Sequence, residues 1–439
     1  MKDFRIAILG CGTIGGGAAR VLLDNLEEFS RKAGRRLVLA GIVTRSPAKS
    51  SRTYGIPREL FLGEGDELSQ ARTAALIDQI VASSEIDLVV EAIGGDSDYL
   101  LGIALGVLGA RKHLVTANKA LLSKHGDRIF EAAERNGAAV GFETSVCTSI
   151  PIIRVMQESF VGDEVISLSG IMNGTSNYIL SRMQEEGISF AEALAQAQEI
   201  GYAEADPGFD IDGIDAAHKL GILMKLAFGI DVAAADLQVM GIRDISAEDM
   251  ALAEEMECSV KLICHAHRKD GRVYGTVRPM MVKRSNLLAQ VNGATNAVKV
   301  VNKYSGENLL IGRGAGSLEG GSAVASDIIF IARYGSAAVK PRFPVVCDFR
   351  SLDDMEFPYN IVFDTEDVPG ITGSVTTAIG DQDINIDTVG HNRHGRSTAV
   401  FSVATMPCTL AQLRRAVQEI KAKRPDVLRA EPRIMPILH

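Results

Sequence analysis

The sequence predicts an α/β fold with three parts: a parallel-sheet domain, an α+β domain and a small ferredoxin-like tail. Three observations predict it. The first part opens with a short apolar run, Phe4 to Leu9, which ends in a glycine-rich turn and a helical pattern. From Pro151 onward the pattern changes to mixed helices and hairpins. From Tyr359 to the end, strand and helix signals follow the order βαββαβ, which is typical of a ferredoxin-like unit.

The composition is that of a globular protein. The residues are 46% hydrophobic and 23% charged. A length of 439 residues is enough for two or three domains. The net charge of −9 argues against a nucleic-acid partner, which requires a basic face. The six cysteines include no CxxC pair, so we expect no disulfide framework, no zinc site and a cytoplasmic location. Charges interrupt the apolar N-terminus and no apolar run could span a membrane, so we expect neither a signal peptide nor a membrane partner.

The first glycine-rich turn has the spacing of a dinucleotide-binding fingerprint, GxGxxG, between a strand and a helix. Its residues are Gly10, Gly12, Thr13, Ile14 and Gly15. The first glycine permits a tight turn, the second lets a pyrophosphate approach the backbone, and the third lets the helix pack on the strand. The helix is expected at about 15–26, with its N-terminal amides facing the phosphates. Residues 1–150 are therefore predicted to form a Rossmann domain for NAD or NADP, completed by about 310–339.

The end of the second strand bears on cofactor choice. This strand is predicted at Leu37–Val43 and is followed by Thr44-Arg45-Ser46. NAD-binding domains normally carry an acid here that holds the ribose, whereas an arginine suits the 2′-phosphate of NADP. Arg45 therefore favours NADP. The alternative is that it is a solvent-facing loop charge.

The later strands of this domain bring further candidates to the sheet edge. Strands are predicted at Ile86–Ile93, His113–Thr116 and Ala138–Phe142, with a helix at Ser97–Gly109. The first of them runs into Gly94, and the second ends in Thr116-Ala-Asn-Lys119. Ligands bind at the carboxyl ends of parallel strands. Lys119 is a candidate site residue because cations usually avoid helix N-termini.

The segment from Gly201 to Lys219 is the strongest candidate for a substrate site. It carries five carboxylates and one lysine, which are Glu204, Asp206, Asp210, Asp212, Asp215 and Lys219. A proline and a glycine predict a loop in its first half, after which Asp212 caps a helix. Asp215 and Lys219 are four residues apart and share one helix face. Such an arrangement can bind an ammonium group and transfer a proton. The alternative is a solvated acidic loop before a surface helix.

The rest of the middle part is predicted from caps and turns. The elements are helix Ile152–Phe160, strand Val165–Ile171, a helix opened by Asn173–Tyr178, a helix capped by Ser189 and Glu192, hairpins at Lys269–Gly271 and Ser305–Gly306, and helix Ser322–Tyr334. A second glycine-rich turn, Gly312–Gly316, precedes the last helix. It either closes over the cofactor or is a plain loop.

Residues 340–358 carry three prolines and no clear period, which predicts a linker. In the tail, 359–439, the predicted elements are strands Tyr359–Phe363, Ile384–Val389, Thr398–Ala404 and Leu428–Ile434, a turn at Asn392–Gly395, a helix ending at Gly380 and helix Thr409–Lys423. The tail holds no triad or metal cluster in its sequence pattern, so we expect it to bind or assemble rather than catalyse.

The whole chain resembles the homoserine dehydrogenase family, in that family's domain order. The most specific match is the acidic segment, which follows the signature G-[YF]-A-E-x-D-P-x-x-D-[IV]-x-G-x-D-x-A-x-K. Residues 116–119, 170–180 and 322–327 also match. The tail resembles an ACT domain, a small-molecule-sensing module. The resemblance implies that 151–310 form a catalytic and dimerisation domain.

The resemblance also implies roles for individual residues. Those implied in catalysis are Lys219 as proton donor, Asp215 as its orienting acid and Lys119. Those implied in substrate binding are Gly201, Glu204 and Asp210. The residues predicted to bind the cofactor, from the glycine-rich turns and the strand ends, are the fingerprint residues with Arg45, Gly94, Thr116, Lys119 and Gly316. Those implied in binding a sodium ion, through backbone carbonyls, are Glu143, Val146, Thr148 and Ile150.

Two departures from the family pattern stand out. The chain has Cys147-Thr148-Ser149 where the family usually has glycines, and Gly320-Gly321 where it usually has Thr-Ala. We expect the added side chains to hinder close approach of cofactor or substrate, and the glycine pair to loosen the second glycine-rich turn. Carbonyl ligation of a cation survives both changes.

The expected reaction is NAD(P)H-dependent reduction of L-aspartate 4-semialdehyde to L-homoserine, a step of threonine and methionine biosynthesis. We further expect threonine, the end product of the pathway, to bind the tail as an effector, and the chains to pair through their tails into a homo-oligomer, either a dimer or a tetramer. Alternatively, the tail only holds subunits together. Two other functions stay open: a catalytically weak amino-acid sensor, and an oxidoreductase that acts on another amino-acid semialdehyde.

Overall fold

The computed structural model describes residues 3–337, 348–350, 353, 355–366, 368–394, 398–425 and 428–439. Its strands are β1 (Phe4–Leu9), β2 (Leu37–Val43), β3 (Leu88–Glu91), β4 (His113–Thr116), β5 (Val140–Gly141), β6 (Val165–Ile171), β7 (Gln238–Val239), β8 (Cys258–Lys269), β9 (Arg272–Lys283), β10 (Thr295–Asn302), β11 (Gly306–Arg313), β12 (Asp348–Arg350), β13 (Glu356–Phe357), β14 (Tyr359–Glu366), β15 (Ile386–His394), β16 (Thr398–Thr405), β17 (Cys408–Thr409) and β18 (Arg433–Leu438). Its helices are α1 (Thr13–Ala33), α2 (Pro47–Tyr54), α3 (Gln70–Ala82), α4 (Asp98–Gly109), α5 (Lys119–Asn136), α6 (Ile152–Arg154), α7 (Gly174–Glu186), α8 (Phe190–Glu199), α9 (Gly208–Ile211), α10 (Ile214–Phe228), α11 (Ala247–Glu255), α12 (Ser317–Tyr334), α13 (Ile371–Gly380) and α14 (Leu410–Lys423).

The chain divides into two compact units. The first unit comprises residues 1–166, 218–236 and 295–346, and the second comprises 167–217, 237–294 and 347–439. Because this division falls within α10, the first residues of that helix belong to the second unit and the rest to the first.

The first unit is built on a five-stranded sheet in the order β2-β1-β3-β4-β5. All its strand pairs are parallel. Its central strands are near-continuous apolar runs, as expected of a parallel sheet buried on both faces. The predicted Rossmann-type domain is confirmed, and β1, β2 and β4 have the predicted bounds.

Helices α1 and α12 pack against each other through glycines. A Cβ atom on Gly17 would lie 1.8 Å from the carbonyl oxygen of Ser317, and one on Gly321 would lie 2.5 Å from that of Gly17. A Cβ atom on Gly320 would lie 2.4 Å from Cδ1 of Ile14. The expectation that Gly320-Gly321 loosen the second glycine-rich turn is therefore wrong. The pair lies within α12, which begins five residues earlier than predicted, and lets two helix backbones approach closely.

This packing predicts unequal effects for two adjacent substitutions. Gly321→Ala places a methyl group against backbone atoms of α1, so we expect it to lower the free energy of unfolding by about 1–3 kcal/mol. Gly320→Ala comes too close to the end of the Ile14 side chain alone, which can rotate away, and touches Thr144 at an ordinary 3.5 Å, so we expect a loss of less than about 1 kcal/mol. Urea denaturation of both variants tests this. Equal losses would show that the glycines do not set the distance between the helices.

The second unit contains a mixed sheet in the order β6-β8-β9-β18-β14-β16-β15. Strands β8 and β9 form a long antiparallel hairpin around the predicted turn at 269–271. The tail contributes β14, α13, β15, β16, α14 and β18, so the predicted βαββαβ order is confirmed. Its last strand pairs with β14 on one side and with β9 on the other, so the sheet of the tail is continuous with that of the middle part.

Several predicted boundaries are wrong for local reasons. Helix α1 continues to Ala33 because its apolar stripe continues, and Gly34 ends it in the left-handed conformation. The predicted helix 152–160 is one α-turn followed by a π-helical turn. The last strand is 433–438 rather than 428–434, because a strand between two neighbours needs the apolar residues at the very end of the chain.

Two further predictions concern the linker and a turn of the tail. Of the predicted linker, 348–350 form β12, which pairs with β9, and 356–357 form β13. Residues 340–347, 351, 352 and 354 lie outside the described residues. The predicted turn at 392–395 is wrong in its first three residues, which continue β15, and residue 395 lies outside the described part.

Candidate active site

The first unit contains a cavity of about 620 Å³ at the carboxyl ends of β1, β2 and β3. Its lining includes Gly10, Gly12 and Thr13 of the fingerprint and Arg45 after β2. Gly10 has a φ of +90°, and a Cβ atom there would lie 2.4 Å from the carbonyl oxygen of Ala92. Gly12 faces open space, which leaves room for a pyrophosphate.

The remaining fingerprint residues pack the turn against the strand end and the core of the sheet. A Cβ atom on Gly15 would lie 2.0 Å from the carbonyl oxygen of Gly10, so helix α1 can begin directly beside the strand end. Ile14 packs onto the hydrophobic core of the sheet. The hydroxyl of Ser50 on α2 donates to the carbonyl of Cys11 at 3.0 Å and fixes the turn from the other side.

Two exposed cations line this cavity near the end of β2. Arg45 follows β2, and Lys49 lies in the first turns of α2; both line the cavity. Sequence reasoning found Arg45 but missed Lys49, which has no motif of its own. The signal for Lys49 was its position, four residues after Arg45 and on a helix that begins with a proline.

A buried glutamate organises the ends of β3 and β4. The carboxylate of Glu91 accepts hydrogen bonds from the amides of Ile93 at 2.8 Å and Gly94 at 3.3 Å, and from the hydroxyl of Thr116 at 2.7 Å. The predicted cofactor residues Gly94 and Thr116 are thus brought together by a residue that sequence reasoning missed. The signal was a single acid at the end of an apolar strand, before two glycines. Lys119 is half-buried at the start of α5.

The loop predicted to bind a cation has an unusual backbone. Cys147 and Thr148 have φ values of +50° and +40°, the left-handed region that non-glycine residues rarely adopt. The hydroxyls of Thr148 and Ser149 donate to the carbonyls of Gly314 and Arg313, each at 2.8 Å. These side chains therefore tie the loop to the second glycine-rich turn, where Gly316 precedes α12 with a φ of +138°. Val146 and Ile150 are buried.

The carboxylate of Glu143 is held in a buried network of hydrogen bonds. It accepts the amides of Ile153 at 2.8 Å and Arg154 at 3.0 Å, and the backbone amide of Glu143 donates to Asp327 at 3.0 Å. The guanidinium of Arg154 binds the Asp327 carboxylate at 2.6 Å. Burial raises the pKa of Glu143 to about 7 and that of Asp327 to about 6. Within the described residues, no group of three or more His, Cys, Asp and Glu side chains could hold a metal ion.

In the second unit, one asparagine joins two of the predicted carboxylates. Nδ2 of Asn173 donates to Oδ1 of Asp210 at 2.7 Å and to Oδ2 of Asp215 at 2.9 Å. Gly201 and Glu204 are exposed on the loop before them. Sequence reasoning placed Asn173 only in a polar turn and missed this role.

The predicted start of the following helix needs correction. Residues 208–211 form the short helix α9 rather than a loop, because a proline and a glycine are tolerated at a helix start. Helix α10 begins at Ile214, and the carboxylate of Asp212 pairs with Arg243, so Asp212 is not its cap. Asp215 and Lys219 lie one turn apart on α10, and both side chains are buried, at 4% and 7% exposed.

Comparison with known proteins identifies the family of this chain. A family model described as homoserine dehydrogenase, NAD binding domain, matches residues 10–143, and one described as homoserine dehydrogenase matches 151–329. The chain is 36% identical over 436 residues to homoserine dehydrogenase of Neisseria gonorrhoeae, with 96% of each chain covered. The chain belongs to the homoserine dehydrogenase family. It is thus an NAD(P)-dependent oxidoreductase, and the reaction of this family connects L-aspartate 4-semialdehyde and L-homoserine.

Solved structures of the family agree. The chain matches a homoserine dehydrogenase from Thiobacillus denitrificans with a TM-score of 0.89 and 33% identity, covering 100% of this chain and 98% of that one. It also matches a hyperthermophilic archaeal homoserine dehydrogenase in complex with NADPH, with a TM-score of 0.61, 25% identity and coverage of 74% and 97%. The predicted NAD(P) cofactor is confirmed. In the described part of the chain, every helix is too short or too polar to cross a membrane.

Proposed function

We propose that Lys219 is the proton donor in the reduction of L-aspartate 4-semialdehyde to L-homoserine, with Asp215 as its orienting acid. One observation carries this proposal: both side chains are buried one turn apart on α10, and Asn173 holds the Asp215 carboxylate. The bound nicotinamide supplies a hydride to the aldehyde carbon. Negative charge then grows on the carbonyl oxygen, so a positioned ammonium group stabilises it and gives it a proton.

We assign the other charged residues by the same chemistry. Lys119, at the carboxyl end of β4, supplies a second positive charge where ligands of such sheets bind. Glu204 and Asp210, with the backbone at Gly201, hold the α-ammonium group of the substrate. The experiment is a comparison of NADPH oxidation with L-aspartate 4-semialdehyde and with its one-carbon-longer homologue. A preference for the homologue would show that the substrate is another amino-acid semialdehyde.

We propose that the enzyme prefers NADPH because Arg45 and Lys49 line one end of the cofactor cavity. Arg45→Ala should raise KM for NADPH by about tenfold or more and leave KM for NADH nearly unchanged, because only NADPH carries the 2′-phosphate. Arg52→Ala is the matched control, since Arg52 is an exposed arginine of α2 outside the cavity lining. Equal rises for both coenzymes would show that Arg45 does not recognise the phosphate.

We propose that the carbonyls of Glu143, Val146, Thr148 and Ile150 bind a sodium ion. Oxygen ligands suit a hard cation, and carbonyl ligation leaves the Glu143 carboxylate to hold the start of α6. The left-handed residues Cys147 and Thr148 curl this loop and support the proposal.

We propose that threonine binds the tail, as the ACT resemblance implies, and that the protein is a homo-oligomer, either a dimer or a tetramer. Full-length enzyme should lose activity as threonine reaches millimolar concentrations, and serine serves as the control ligand. The full chain is needed because β18 pairs with β9, so that removal of the tail would expose a central strand. Activity unchanged by threonine would leave the tail with an assembly role only.

A further inference from the structure

The side chain of Asn173 is buried, at 5% exposed, between the end of β6 and the start of α7. Its amide nitrogen donates to Asp210 and Asp215, and its amide oxygen accepts the backbone amide of Ser176 at 2.8 Å. An asparagine amide has two N–H donors, and each of them is used by one carboxylate. The side chain therefore caps α7 and bridges two acids at once.

This network fixes the orientation of the amide. If the amide group were rotated by half a turn, its oxygen would face the two carboxylates and its NH₂ group would face the Ser176 amide. Acceptor would then meet acceptor twice, and donor would meet donor once. Only one orientation of the Asn173 amide therefore satisfies all three hydrogen bonds.

The backbone of the acidic loop is held by other residues. The hydroxyl of Thr175 donates to the carbonyl of Tyr202 at 2.8 Å, and the hydroxyl of Ser176 donates to the carbonyl of Asp210 at 2.9 Å. These two bonds fix the path of the loop, whereas the Asn173 amide acts on the two carboxylate groups. Substitution of Asn173 can therefore disturb the carboxylates while the loop stays in place.

We propose that Asn173 is a positioning residue of the reduction, which sets the separation and the direction of the Asp210 and Asp215 carboxylates. Two carboxylates within reach of one nitrogen repel each other, and a shared donor offsets that repulsion. The pair concentrates negative charge where the α-ammonium group of the substrate binds. This inference rests on the substrate and orienting roles proposed for the two acids.

The experiment separates positioning from capping. Asn173→Asp and Asn173→Ser both retain an oxygen that caps a helix, but the aspartate has no N–H donor and the serine is too short to bridge the acids. We expect kcat/KM for L-aspartate 4-semialdehyde to fall by about 10²-fold in both variants, because misplaced groups lose the reacting geometry. We expect KM for NADPH to change by less than about twofold, since the second unit alone is altered.

The matched control is Ser189→Ala, which removes the capping residue of the next helix, α8. It should lower the melting temperature without changing kcat/KM. Wild-type kcat/KM in both Asn173 variants would overturn the inference and leave Asn173 as a cap. Asp215→Asn, assayed beside them, distinguishes failure of the role proposed for Asp215 from failure of the positioning role of Asn173. If it retains wild-type turnover, the proposed role of Asp215 fails. If it loses turnover while the Asn173 variants do not, only the positioning role fails.

Discussion

Replacement of Lys219 by methionine is expected to lower kcat by about 10²-fold or more and to leave the protein folded. The side chain is buried on α10, so methionine fills the space of its aliphatic stem and removes only the ammonium group. The proton donor is then missing at the step in which charge grows on the substrate oxygen. Steady-state kinetics with saturating NADPH and L-aspartate 4-semialdehyde measure the loss.

Lys225→Met is the control for loss of a buried lysine on the same helix. Lys225 pairs with Asp127 and Asp231, so its loss should lower stability, with kcat retained at the working temperature. Loss of Lys219 should therefore remove turnover from a protein that still folds, whereas loss of Lys225 should lower stability while kcat is retained. Near-wild-type kcat in Lys219→Met would rule out Lys219 as the proton donor.

Replacement of Arg154 by methionine is expected to lower the free energy of unfolding by about 3 kcal/mol at pH 8. The guanidinium binds Asp327 at 2.6 Å and lies within 4.0 Å of the Glu143 carboxylate, and both carboxylates are buried. Without Arg154, two buried negative charges lose their cation. Arg135→Met is the control, because Arg135 is an exposed arginine of the same unit.

The loss in Arg154→Met depends on pH with a defined sign. Burial raises the pKa of Glu143 from 4.5 to about 7 and that of Asp327 from 3.8 to about 6 in the folded protein. Between the unfolded and the folded pKa of each acid, the folded state binds more protons than the unfolded state. The free energy of unfolding therefore falls as the pH rises from about 4 to about 7. Removal of the arginine should therefore cost less at pH 5 than at pH 8. Urea midpoints that shift equally at both pH values would contradict this.

Local patterns were sufficient to predict the elements that build the cofactor site. The glycine spacing fixes the turn after β1, because Gly10 and Gly15 are positions where a side chain would strike the backbone. Strands β1, β2 and β4 are predicted to the residue because their apolar runs are bounded by turn residues. The position of Arg45 beside the cofactor cavity follows from the same pattern.

The supporting contacts could not be predicted, because they join residues far apart in the chain. Asn173 meets Asp210 and Asp215 across 37 and 42 residues, and Arg154 meets Asp327 across 173. No local pattern encodes such pairs. The glycines of α12 were misjudged for the same reason, since their partner is a helix near the other end of the chain.

The most direct test of the account is a spectrophotometric assay of purified full-length protein with NADPH and L-aspartate 4-semialdehyde. The account predicts that NADPH is oxidised and that one L-homoserine forms for each NADPH consumed. Folded protein that binds NADPH but oxidises none of it with this substrate would contradict the account and favour an amino-acid sensor that has retained the fold of the enzyme.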